Sequence, residues 1–270
     1  MSSWLFLIPA GAVIGLFSGF FGVGGGTISI PILTWLLKFA GYTHEGSIKT
    51  AIATSLLIGF FASISASIRN YKTWHPTKRR ILFLGLGSLL GTRIGTQISV
   101  YLPGTTLSYL LGTVLFLTAV YYLISSNGTE KPVHQRVKET SYWLILSGLL
   151  VGVFSGMTGM GGGIILIPML TFFFGEEAKK AAITSSFVIV LTTLFGVIQY
   201  GFMTPGYSIP EGQLHWGLVS LSMGLPVAVL AGLGGYFGAK LLHKTAGHLW
   251  KRLFAVVLMI VVVDLFFFGE

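Results

Sequence analysis

Apolar residues run through this chain in long blocks, at about 4–39, 50–70, 80–101, 105–124, 142–174, 180–202, 214–242 and 247–268, with polar residues collected between them. A helix needs about 20 apolar residues to cross a bilayer, so six of these blocks predict one span each. The first and fifth are too long for one span and short for two. Each contains three adjacent glycines, Gly24–Gly26 and Gly161–Gly163. The expected solution is a helix, a break at the glycines, and a shorter helix opened by Thr27 or Ile164. Each pair would form a hairpin dipping into the membrane, because lipid tolerates irregular backbone only where protein or a polar cavity surrounds it.

The two long blocks are copies. Residues 15–34 (GLFSGFFGVGGGTISIPILT) and 152–171 (GVFSGMTGMGGGIILIPMLT) agree at 13 of 20 positions, with a proline five residues past each glycine run. Interrupted segments at matching places in two halves point to a transporter binding site near the bilayer midplane. A second echo follows, Lys49-Thr50-Ala51-Ile52-Ala53-Thr54-Ser55 against Lys179-Lys180-Ala181-Ala182-Ile183-Thr184-Ser185. The fold expected is an all-α polytopic membrane protein of two inverted repeats. Each repeat is a glycine-broken re-entrant hairpin plus three transmembrane helices, over 1–125 and 141–270, joined by a polar cytoplasmic linker at 126–140.

Composition agrees. Residues of the AVILMFWYC set make up 53% of the chain and charged residues 9%, against about a quarter charged in soluble domains; the mean hydropathy is +0.82. The net charge of +9 lies mainly in short loops, where it sets topology, so nucleic acid is not an expected partner. The chain has no cysteine, which excludes disulfides, thiolate metal sites and persulfide chemistry. Its six histidines lack metal-ligand spacing, so no metal or cofactor is expected. The opening segment lacks a basic n-region and reads as a retained helix rather than a signal peptide.

Basic residues order the loops. Arg69, Lys72, Lys78, Arg79 and Arg80 place connection 69–80 in the cytoplasm, while turn 102–105 has none and should be external. Lys131, Arg136 and Lys138 return the linker to the cytoplasm, which makes its Asn127-Gly128-Thr129 glycosylation-type triplet incidental. Connection 201–213 lacks Lys and Arg, whereas 240–252 has Lys240, Lys244, Lys251 and Arg252. This pattern closes only if each glycine-broken block makes no net crossing or two, and it puts both termini outside. In loops 40–49 and 175–180, Lys and Glu nearly cancel.

The candidate chemistry is that of helix starts. The first turn of a helix leaves N–H groups unpaired and carries about half a positive charge, so a preceding glycine run can bring an anion to the backbone. The expected site therefore comprises Gly24, Gly25, Gly26 and Thr27 with Gly161, Gly162 and Gly163, and the hydroxyls of Ser18, Ser155, Thr54, Ser55, Thr184 and Ser185. Thr158 stands beside them. Arg93, deep in the third block, is a further candidate because an intramembrane cation is costly; it has no counterpart in the other half, where Tyr236 takes its place. Asn70, Gln97 and Gln199 are lesser polar candidates. Gly11, Gly15, Gly19 and Gly22, and Gly91 with Gly95, read as close-packing faces. Carboxylates are otherwise placed in or next to loops, Glu45, Glu176, Glu177 and Glu211 among them, so no coupling-ion site is evident.

The paired G-x-x-S-G-x-x-G-x-G-G-G-x-x-x-x-P-x-L segments, each followed by a short A-x-x-T-S element, resemble the TauE/SafE family of sulfite exporters over nearly the whole chain. The resemblance implies a membrane protein that moves sulfite, sulfoacetate, thiosulfate or a related organosulfur anion, often outward. The glycine runs would be its substrate-binding positions, and Arg93 matches no motif of the family. The expected function is secondary transport of a small sulfur-containing anion across the cytoplasmic membrane by alternating access. An anion channel, or a carrier of a non-sulfur organic anion, is the alternative. Expected partners are the anion and membrane lipid, with a homo-oligomer left open. An intramembrane enzyme is disfavoured by the lack of a Ser–His or Asp–Asp pairing inside the spans, and a scaffold has no need of duplicated breaks.

Overall fold

The computed structural model describes residues 3–125 and 139–267. The linker up to residue 138, with its Asn-Gly-Thr triplet and its three basic residues, lies outside the described residues, as does the side chain of Asp264. Ten helices are described: α1 (Ser3–Phe21), α2 (Gly26–Phe39), α3 (His44–Tyr71), α4 (Lys78–Tyr101), α5 (Gly104–Ser125), α6 (Ser141–Thr158), α7 (Gly163–Phe172), α8 (Ala178–Gly201), α9 (Leu221–Lys244) and α10 (Gly247–Phe267). Six of them, α3, α4, α5, α6, α8 and α9, are long and apolar enough to cross a membrane. Five of these match blocks expected to span singly. The sixth expected block became α10, whose 21 residues include Lys251, Arg252 and Asp264.

Two boundaries differ from the sequence pattern. Helix α3 starts at His44, where Thr43 Oγ1 accepts the Gly46 N–H at 3.1 Å, so the Lys49–Ser55 element sits more than a turn inside the helix rather than at its opening. The block from 214 does not begin as helix. Gly217, at φ +55°, turns a small hairpin of β1 (His215–Trp216) and β2 (Val219–Ser220) before α9.

Glycine seams hold the long helices together. A Cβ on Gly91 of α4 would lie 2.8 Å from Val153 N of α6, and one on Gly15 of α1 would lie 2.5 Å from Ala231 Cα of α9. Gly87, Gly91 and Gly95 meet Ile145, Leu149 and Val153 in order, while Gly11, Gly15 and Gly19 meet Val227, Ala231 and Gly235. Both pairs are therefore parallel. Between helices in lipid, van der Waals contact replaces hydrophobic drive, so small residues that let backbones touch supply the adhesion. The seams expected from the four-residue glycine spacing are present, except that Gly22 belongs to the break.

Helices α3 and α8 cross the centre antiparallel, with Leu56 against Gly196 and Asn70 bonded to Ser186 at 3.2 Å. Around them the α6–α7 unit leaves from and returns to one place. Arg80, at the start of α4, bonds Glu139 just before α6 and Glu176 just after α7. The α1–α2 unit does the same at the start of α9. There α1 runs beside α9 from its first turns, and Tyr42, just past α2, bonds His215 at 2.5 Å. Both units are hairpins with a glycine break at the tip.

Candidate substrate site

Each break is made by three glycines in left-handed conformation: Gly22, Gly24 and Gly25 at φ 71°, 84° and 77°, and Gly159, Gly161 and Gly162 at 73°, 71° and 84°. Any side chain there would strain the backbone. The following helices open at Gly26 and Gly163, one residue earlier than expected, so the last glycine of each run is helical. Their N-caps, Gly25 and Gly162, offer no side-chain acceptor to the first-turn amides.

The two breaks lie against one another in the core. A Cβ on Gly26 would meet the Gly159 carbonyl oxygen and come within 2.5 Å of Met160 Cα. One on Gly163 would meet the Gly22 carbonyl oxygen and come within 2.6 Å of Val23 Cα. Gly24 and Gly161 face each other, each Cβ position about 3.5 Å from the other residue's Cα. The contact is backbone on backbone and leaves no gap at its centre.

Hydroxyls of the second duplicated element secure it crosswise. Ser55 Oγ of α3 donates to the Gly159 carbonyl at 2.8 Å, and Ser185 Oγ of α8 donates to the Gly22 carbonyl at 2.5 Å. Each half thus closes the break of the other. Thr54 Oγ1 accepts from Ser220 N at 3.0 Å, and Thr184 Oγ1 donates to Glu176 Oε1 at 3.1 Å. Thr158 bonds the Phe154 carbonyl within its own helix. These hydroxyls are engaged by protein.

Three other candidates are not, and Ser29 of α2 is in the same state. Ser18, Thr27 and Ser155 are 3%, 2% and 0% exposed, and their hydroxyl oxygens have no hydrogen-bond partner among the described residues. A buried hydroxyl without a partner costs free energy, so it marks a place for water or ligand. Ser18 Oγ lies 3.6 Å from the Cβ position of Gly25, and Ser155 Cβ lies 3.4 Å from that of Gly162, so each break has its serine on the outer side. Ser18, Gly25 and Thr27 line a small cavity with Phe17, Phe254 and Val257, next to the first turn of α2. It has room for about one water-sized molecule.

Arg93 is not brought to this site. It is exposed on α4, on the face that also presents Leu86, Leu90 and Ile94. The glycine seam Gly87–Gly91–Gly95 turns the opposite face of α4 onto α6, and that fixes the arginine outward. Of the lesser candidates, Gln97 is exposed, Asn70 is bonded to Ser186 and His243, and Gln199 accepts from Thr96 at 2.9 Å.

Polar groups close both ends of the bundle, and sequence reasoning missed them. At one end, Arg80, Glu139 and Glu176 tie the α6–α7 hairpin shut. At the other, Tyr42 meets His215, and Tyr207 meets Thr50 at 2.6 Å. Burial pushes the Tyr42 and Tyr207 hydroxyls up to about 12 and lowers His215 below its ordinary value. Loop sequences with cancelling charges gave no sign that such residues would be covered.

The chain is therefore an integral helical membrane protein with two opposed backbone breaks in its core. It belongs to the sulfite exporter TauE/SafE family, whose pattern matches residues 7–265. It is 30% identical over 240 residues to a probable membrane transporter protein of Methanocaldococcus jannaschii, covering 88% of this chain and 87% of that protein. Further relatives bear the same description. That of Bacillus subtilis named YunE is 24% identical, covering 99% and 98% of the two chains, and one of Haemophilus influenzae is 25% identical, covering 97% of each. No solved structure matches the chain. Family and relatives together support a membrane transporter.

Proposed function

We propose that this protein is a secondary transporter of a small sulfur-containing anion, such as sulfite, thiosulfate or an organosulfonate, working by alternating access in the cytoplasmic membrane. Export is the direction that the family description favours. The observation that carries the reading is the trio of buried, unpartnered hydroxyls beside two uncapped helix starts. A tetrahedral or pyramidal oxyanion accepts several hydrogen bonds at once. Main-chain amides of Gly26, Thr27, Gly163 and Ile164, with the hydroxyls of Ser18, Thr27 and Ser155, supply donors without a fixed charge. Binding of that kind is modest, as a carrier requires. Gly24, Gly25, Gly161 and Gly162 serve by keeping side chains out of the way.

The mechanism follows from two inverted repeats, a reading supported by the exchange of partners between halves. Helix α1 pairs with α9 as α6 pairs with α4, and each hairpin is tied at its own end of the bundle. The Arg80 end carries Arg69, Lys72, Lys78 and Arg79 and is read as cytoplasmic, which leaves both termini outside. With the breaks in contact the site is occluded. Separating one hairpin from the central pair α3–α8 exposes a helix start to one side only, while the other hairpin stays sealed.

Flux into proteoliposomes of the purified chain tests this, with sulfite, thiosulfate, sulfate, sulfoacetate and taurine, each with and without a pH gradient. Saturable movement of a sulfur oxyanion is expected. Single-channel currents would instead make it a channel, and flux of none of the sulfur anions would overturn the substrate class.

A further inference from the structure

Arg80 serves two carboxylates. Its Nε and Nη2 donate to Glu139 at 2.9 and 2.7 Å, and its Nη1 reaches Glu176 Oε1 at 2.8 Å. The side chain of Glu139 is 28% exposed and that of Glu176 6%. Thr184 gives Glu176 Oε1 a second donor, while Glu176 Oε2 is buried with none. One guanidinium balances one carboxylate, so two ionised acids leave a surplus negative charge in a poorly solvated place. On the adjoining start of α8, Lys180 is engaged by Glu177 at 3.3 Å and by the Trp74 ring at 4.8 Å, and Lys179 lies towards His243. Among the described residues, none donates a hydrogen bond to Glu176 Oε2.

We propose that Glu176 is a proton-binding site, protonated on Oε2 while the α6–α7 hairpin is tied to Arg80 and releasing that proton when this end opens. The proposal rests on the transporter reading above and supplies its coupling ion. Opening must draw Glu176 away from Arg80 and Thr184 into water, where a carboxyl ionises in its ordinary range. In the closed form, burial pushes it up against the opposing pull of Arg80 and Thr184, and Glu139 adds to the rise. The closed form therefore holds the proton more tightly than the open form, and linkage makes acid favour closure and alkali favour opening. In the first half, the second duplicated element sets Gly46 opposite Glu176, and the neighbouring Glu45 is 57% exposed and pairs with Lys49 at 2.7 Å, so coupling belongs to one hairpin alone.

The chain lacks cysteine, so two introduced cysteines, Lys78→Cys and Phe173→Cys, are its only labelling positions; both residues are exposed. Spin labels there, in the reconstituted protein without substrate, read the opening as a distance. As pH rises from the ordinary carboxylate range, the long-distance population should grow, by up to about tenfold per pH unit for a single proton. In Glu176→Gln the distribution should stay closed and pH-independent, and Glu176→Asp should restore the titration. An unvarying distance in the Glu176 chain, or an unchanged pH response in Glu176→Gln, overturns the proposal. The flux panel separates the two readings. A Glu176-dependent response without anion flux removes the transport reading alone, and anion flux without the response removes the proton site alone.

Discussion

Adding a single methyl group at Gly26 or Gly163 tests the contact between the breaks. Both residues are helical, so alanine costs nothing in backbone conformation; its effect is steric. In Gly26→Ala the new Cβ lies 2.5 Å from Met160 Cα, and in Gly163→Ala it lies 2.6 Å from Val23 Cα. Carbon atoms rest at about 3.5–4.0 Å, so the breaks must part by about 1 Å. Backbone lies on both sides, and no side-chain rotamer can relieve the clash. Forced overpacking of this kind costs about 1–3 kcal/mol. That cost falls on the form in which the breaks touch, which shifts it against open forms by roughly 5- to 150-fold. Flux should fall by at least about fivefold, one lost step of the cycle, while surface expression and monodispersity in detergent stay near wild type. Gly25→Ala separates backbone strain from the break contact in melting, because its Cβ meets nothing closer than 3.4 Å but must sit at φ +77°. It should lose about 1–2 kcal/mol of stability. Wild-type flux in correctly inserted Gly26→Ala and Gly163→Ala would refute the idea that the breaks close upon each other.

Thr27→Val keeps the shape and removes a hydroxyl that has no protein partner. Its melting temperature should hold or rise, while apparent affinity for the transported anion falls about tenfold; unchanged affinity would take Thr27 out of the site. Ser55→Ala and Ser185→Ala strip a donor from a break carbonyl, and each should cost about 0.5–2 kcal/mol in detergent melting. A melting curve unmoved in both would mean that these hydroxyls do not secure the breaks. Arg93→Gln should leave the apparent KM for the anion unchanged, because the side chain lies on the outer face. A severalfold rise in KM would bring it back into the binding path. Gly25→Leu and Gly162→Leu should abolish flux without preventing membrane insertion, which immunodetection in membranes together with the flux assay would check.

Much of the molecule was legible because glycine in an apolar segment has few uses. Four-residue spacing announced the seams of α1 and α4, and three adjacent glycines announced the breaks, since only that residue accepts repeated left-handed φ. Duplication then tied Ser18 to Ser155 and Ser55 to Ser185. What the pattern concealed was direction. A soluble helix shows which face is buried by where its polar residues lie, but a membrane helix meets lipid as apolar as its neighbours. Nothing in the order of residues tells whether Arg93 points inward or outward.

The chain alone settled that this is a helical membrane protein, where its helices are interrupted and which glycines let backbones touch, because those features depend on local conformation and on total apolar length. Tertiary structure decided what each polar group touches. It turned Arg93 outward by committing the opposite face of α4 to α6. It turned Ser55 and Ser185 to the carbonyls of the opposite break and left Ser18, Thr27 and Ser155 free. It also folded the loop after α7 under Arg80, so that Glu176, written next to Lys and Glu like any surface acid, became a buried carboxylate. Burial and partnership arise between segments distant in the chain, and only the assembled packing fixes them.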